Sequence, residues 1–155
     1  MLRIRVTALA MLTIGLALPA SATTIAETDG ERPGTRIEVQ QFKRESGGTV
    51  LLRLTLINDS GAAIDFNSFS GSSSGMGGEY GTLDGVYLVD LANKKKFEVV
   101  RDTDRHCVCT RGLRDIAARS SINLWAKFPA PADGVERLGV VVPHFLPLDD
   151  VPLTR

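Results

Sequence analysis

The chain has little with which to do acid–base or redox chemistry. Among its 155 residues there are two cysteines, two histidines and one tryptophan, and the acidic and basic side chains balance at 18 each. Two histidines leave few candidate bases for a hydrolytic triad, and neither sits in a recognisable nucleophile motif. Balanced charge with no long basic tract argues against nucleic acid and against an anionic membrane surface, both of which favour clustered Lys and Arg. The one basic cluster, Lys94-Lys95-Lys96, reads as a solvated turn between strands. A phosphate-cradling loop is missing too, because Gly75-Met76-Gly77-Gly78 is followed by neither a helical pattern nor a Lys-Ser/Thr pair. Long apolar runs are also scarce. The only one covers residues 6–18, too short to span a bilayer as a helix.

That run has a purpose of its own. Arg3 and Arg5 precede it, Pro19 ends it, and Ala20-Ser21-Ala22 supplies small residues for cleavage. The pattern is that of a secretory signal peptide cut after Ala22, so the mature chain is expected to be secreted or periplasmic and to have no transmembrane segment. Cleavage removes Arg3 and Arg5 and leaves a net charge of about −2 on roughly 133 residues, a length that suits one domain with one core. The expected organisation is a leader over residues 1–22, a flexible N-terminal arm over 23–34 and a single domain over 35–155.

Within that domain the apolar periodicity is two. The clearest case is residues 49–58, TVLLRLTLIN, in which Val50, Leu52, Leu54 and Leu56 share one face while Leu51, Arg53, Thr55 and Ile57 share the other. Before it, in residues 36–44, Ile37 and Val39 are in phase and Phe42 is not, which predicts a bulge. Residues 86–90 and 96–101 read as a hairpin turning at Asn93, and residues 111–119 as room for a single helical turn. Residues 121–128 and 135–142 read as further strands, and the proline-bearing tail from Pro143 to Pro152 as a segment running along an edge. Seven or eight short strands without a convincing helix predict an all-β, antiparallel two-sheet sandwich of immunoglobulin-like type.

Residues that could carry chemistry or binding are few. Cys107 and Cys109 form an even pair in an exported chain, which points to a disulfide. In an extended strand, residues two apart lie roughly 6.5 to 7 Å from each other, so the bridge requires a bent backbone, for which the turn over residues 102–105 is suited. The competing reading is metal or redox work by His106, Cys107 and Cys109 beside Arg101, Arg105 and Arg111. Asp102-Thr103-Asp104 has the spacing that opens a calcium loop but lacks the following glycine and the distal glutamate. His144, between Pro143 and Phe145, reads as an edge or turn residue. The Gly/Ser-rich stretch 68–81 carries Phe69, Met76 and Tyr80, which either pack the loop onto the sandwich or form a contact surface. Trp125 lies opposite the core set of its strand, either covering that side against the proline tail or serving as an aromatic platform for a glycan or peptide.

The segments YLVD (87–90), KKKFEVVRD (94–102), CVCT (107–110), LWAKFPAP (124–131) and VVVPHFLPLDDVPL (140–153) together resemble a class of small exported bacterial immunoglobulin-like domains. Such modules occur alone or ahead of an OmpA-like domain. The resemblance implies a non-catalytic binding or accessory role with an envelope protein or cell-wall component as partner, and no cofactor. It brings no catalytic residues with it.

Overall fold

The computed structural model describes residues 23–65 and 81–155. The expected leader and most of the Gly/Ser-rich stretch lie outside the described residues. Eight strands are present: β1 (Ala26–Asp29), β2 (Thr35–Glu45), β3 (Thr49–Asn58), β4 (Tyr87–Asp90), β5 (Lys95–Glu98), β6 (Ser120–Pro129), β7 (Arg137–Val141) and β8 (Leu148–Pro152). They form two four-stranded antiparallel sheets, ordered β1-β2-β3-β6 and β5-β4-β7-β8, packed as a sandwich. The all-β, two-sheet expectation therefore holds. β2 and β3 are hydrogen-bonded neighbours here, whereas the constant-type immunoglobulin order puts its second and third strands in different sheets.

The core follows from the period-two pattern. Ile37 and Val39 of β2, Val50 to Leu56 in alternation on β3, and Leu124, Ala126 and Phe128 of β6 face Leu88, Leu138, Val140 and Val151 of the other sheet, and all are buried. The phase error at Phe42 is a register shift between Val39 and Gln41, which returns Phe42 to the core side at 1% exposure. Leu51 is buried on the outer face, outside the core cluster, where its register neighbours are Lys43 and Lys127. Long aliphatic stems of that kind cover apolar surface while their ammonium groups stay in water.

Both sides of the sandwich are stitched from sheet to sheet. On one side Thr154, just past β8, makes a parallel bridge with Lys43 of β2, and Leu146 N–H donates to Asp29 O at 3.2 Å. On the other, Val100 N–H donates to Lys127 O at 2.8 Å, carrying the end of the β4–β5 hairpin onto β6.

Two local expectations change. The segment expected to be a flexible arm contains β1, because Ala26 to Asp29 pair with Val39 to Arg36 and Gly30 is wedged against Thr35 and Phe145 with no room for a Cβ. Residues 111–119 form no helical turn, since their backbone groups are used elsewhere: Ile116 exchanges hydrogen bonds with Ile64 (2.8 and 2.9 Å), and Leu113 N–H donates to Gly81 O. The β4–β5 hairpin turns at Asn93 as expected, with Asn93 held by Asp90 through its backbone N–H (3.0 Å) and its side-chain amide (2.8 Å) and the left-handed position on Lys94. The proline-bearing tail does run along an edge, as β8 against β7.

Candidate functional site

The cysteine segment is a small hairpin of its own. Val108 N–H donates to Val100 O (2.7 Å) and Asp102 N–H to His106 O (2.9 Å), with Arg101 opposite Cys107. Asp102 closes the turn, since its Oδ1 accepts from the N–H groups of both Asp104 and His106 at 2.9 Å, and Arg105 takes a left-handed φ of 68°. The bend draws the Cα atoms of Cys107 and Cys109 to 5.3 Å, within the usual range for a disulfide, and the two are bonded. Both cysteines are buried in the core cluster.

Alternation along the segment turns His106 the other way. Its side chain is 46% exposed, with Nδ1 3.8 Å from Asp102 Oδ2. Ligand atoms of Asp102, Asp104 and His106 all lie within 4.8 Å of one another. The structure thus brings His106 together with the two aspartates rather than with the sulfurs, which the disulfide keeps from forming thiolates. A ligand set of His106, Cys107 and Cys109 requires that bond to be reduced. His144 sits apart from this group, with Nδ1 3.0 Å from Glu31 Oε2, in the turn between β7 and β8, as an edge histidine should. Of the suggested contact residues, Phe69, Met76 and Tyr80 lie outside the described residues.

Trp125 is the described contact candidate, and its surroundings are more specific than its sequence position suggested. It projects from β6 on the outer face of the first sheet and remains 37% exposed. It lines an open groove of about 360 Å³ with Gln40 of β2, Arg53 and Thr55 of β3, and Asn123 of β6, floored by the backbone around Leu54 and Leu124. No residue of the proline tail lines this groove, so the tail does not cover that side. Two bonds anchor the tryptophan backbone to the residue following the disulfide: Thr110 N–H donates to Trp125 O, and Trp125 N–H donates to Thr110 Oγ1, both at 2.8 Å. The cysteine hairpin therefore borders the free side of β6 and holds the platform strand in place.

Polar order around the groove is set by neighbouring pairs. Thr55 Oγ1 donates to Asn123 Oδ1 at 3.0 Å across the β3–β6 pair, which leaves the Asn123 amide N–H groups facing outward as donors. Gln40 Nε2 donates to Glu38 Oε2 (3.1 Å), and Glu38 is also paired with Arg36 (3.2 Å). Arg36, bonded first to Asp59 and then to Glu38, is held more firmly protonated than a free guanidinium. At the far end of the sheet, the hydrogen bond from Lys127 Nζ (2.8 Å) holds the Glu45 carboxyl below the usual carboxylate range. Sequence reading found Trp125 but not its partners, because Gln40 reaches the groove only through the β2 bulge, and Asn123 and Thr55 become neighbours only through the β3–β6 register.

Fold and site together define an antiparallel β-sandwich with a cross-linked edge hairpin and an aromatic groove on its outer face. No protein-family model, curated protein or solved structure matches the chain. Among the described residues no helix is long and apolar enough to cross a membrane.

Proposed function

We propose that the chain is an exported, non-catalytic binding or accessory module of the cell envelope that engages its partner through the Trp125 face. One observation carries this reading: a large aromatic side chain left 37% exposed on the outer face of the first sheet, in a groove that Gln40, Arg53, Thr55 and Asn123 also line. Export rests on the basic start, the short apolar run and the small-residue site before Thr23. The test is a pull-down of the chain from Thr23 onward on purified cell wall and on envelope extract, beside its Trp125→Ala variant. Retention lost in the variant is expected. Recovery no better than that of an unrelated sandwich of equal charge sinks the reading. Expression of the full chain followed by mass measurement of the exported product checks the leader, for which a mass beginning at Thr23 is expected.

A second reading, metal handling, is favoured by the convergence of Asp102, Asp104 and His106 within 4.8 Å beside the disulfide. Titration with Zn²⁺ and Cu²⁺ before and after reduction tests it. Uptake abolished by His106→Ala supports an aspartate–histidine site. Uptake appearing only on reduction supports the sulfurs, and no uptake in either state removes the reading.

A further inference from the structure

The groups around Trp125 define what the groove can hold. Three sets of donors point at it unused. Arg53 makes no ion pair or hydrogen bond among the described residues, although its register partner across the sheet is Trp125 itself. The guanidinium is not stacked on the indole either, since the only cation–π contact among the described residues joins Lys96 to Tyr87. The indole N–H of Trp125 and the amide N–H groups of Asn123 are likewise without acceptors among the described residues. Gln40 adds no open group to the groove, since its Oε1 is buried from solvent and its Nε2 is donated to Glu38. Glu38 is matched by Arg36, and Arg53, whose charge helps those of Lys127 and Lys43 to hold the Glu45 carboxyl low, has no carboxylate within ion-pairing distance among the described residues.

A peptide partner is disfavoured by the same geometry. Strand addition needs a free edge, and β6 beside Trp125 is already bonded to Cys109 and Thr110. An apolar side chain has nothing to enter, because Leu54 and Leu124 are turned into the core at 1% and 2% exposure. What remains is a ligand with one apolar face for the indole and acceptor oxygens around its rim. A pyranose fits that description, its C–H face stacking on the aromatic ring and its hydroxyls meeting amides and Thr55. The free guanidinium adds a requirement for a carboxylate, with which Arg forms paired, charge-assisted hydrogen bonds. The volume, about 360 Å³, lies at the low end of small-ligand sites, which run from about 300 to 1,000 Å³.

We propose that the Trp125 groove binds an acidic saccharide, a pyranose bearing a carboxylate, stacked on Trp125 with its carboxylate on Arg53 and its hydroxyls on Asn123 and Thr55. This rests on the binding-module reading and specifies its ligand. The carboxylate can come from a uronic acid or from a lactyl ether on an amino sugar, so the probes are tri-galacturonate, a hyaluronan tetrasaccharide and N-acetylmuramic acid, with maltotriose as the neutral control.

Trp125 is the only tryptophan in the sequence, so its fluorescence reports on the groove directly. Titration of the chain from Thr23 onward is expected to show saturable quenching by at least one acidic probe and an at least tenfold weaker response to maltotriose. Arg53→Gln is expected to weaken the acidic probe at least tenfold without altering the maltotriose response, and added salt to weaken it as well. By calorimetry, Trp125→Ala abolishes the heat of binding and Trp125→Tyr restores part of it, with circular dichroism checking that each variant folds. Absence of quenching by all three acidic probes overturns the proposal, as does equal binding of maltotriose or an unchanged Arg53→Gln. If the cell-wall pull-down remains sensitive to Trp125→Ala while all three probes fail, the acidic-saccharide inference falls and the binding-module reading stands. If both fail, both fall.

Discussion

Asn58 is fully buried at the end of β3, and its amide donates to the carbonyls of Ala62 (2.9 Å), Ile116 (3.2 Å) and Ala117 (3.0 Å) while its carbonyl accepts from Ser60. One side chain thereby satisfies a turn and the segment leading into β6. Replacement by alanine removes three buried hydrogen bonds, although each of those carbonyls keeps one other donor, and Asn58→Ala is expected to cost about 2–3 kcal/mol in urea unfolding. Asp90 works in a similar way at the β4–β5 turn, where hydrogen bonds from the Asn93 side chain and then its backbone hold the carboxyl below the usual range. A folded-state pKa below the unfolded value contributes stability above about pH 4 that is lost as the pH falls through the folded value. The melting temperature of the native chain should therefore drop more steeply below about pH 4 than that of Asp90→Asn, and parallel curves would count against the assignment.

At the scale of the element, the cysteine hairpin matters more for what it borders than for the loop it closes. A bridge between residues two apart removes little unfolded-state entropy, roughly 1.5 kcal/mol for a three-residue loop against about 3 for fifteen residues. Cys107→Ala/Cys109→Ala should lower stability by about that amount, read from urea midpoints at constant m. A loss of several times this size would show that the bridge holds the 100–110 hairpin against β6 rather than merely closing its own ring. The β4–β5 hairpin ends in an edge strand whose residues are mostly exposed, Lys95, Lys96 and Glu98 among them, and charge on such an edge discourages pairing with other chains.

Taken whole, the molecule is a sandwich whose two sides are bonded shut by chain ends and loop segments. The C-terminus is the clearest case, since Leu153 N–H donates to Glu136 O, Thr154 N–H to Phe42 O and Arg44 N–H to Thr154 O, all between 2.8 and 2.9 Å. Leu153 is buried as well. Deleting residues 153–155 removes these bonds and exposes part of β2, and is expected to cost about 3 kcal/mol and to promote concentration-dependent self-association, measured by unfolding and by light scattering. Much of this architecture was legible from one-dimensional pattern: residues 49–58 were bounded correctly because alternation is strict there, and the bulge near Phe42 showed as a phase error. β1 was not legible, because Ala26, Glu27, Thr28 and Asp29 have no alternating apolar face and become a strand only by pairing with β2. The helical turn expected over residues 111–119 failed because long-range partners at Ile64 and Gly81 took the backbone groups a helix would use.

The sequence by itself determined the strand content, the inward set of side chains, the outward direction of Trp125 and the need for a bend if Cys107 and Cys109 were to pair, since all of these follow from the two-residue period of extended backbone. Only the tertiary structure decided that Trp125 faces Arg53, Thr55, Asn123 and Gln40, that His106 meets aspartates instead of sulfurs, and that the CVCT segment braces β6. Those relations depend on register between strands far apart in the chain, which no local pattern supplies, and on a bulge whose presence showed as a phase error but whose new neighbours did not.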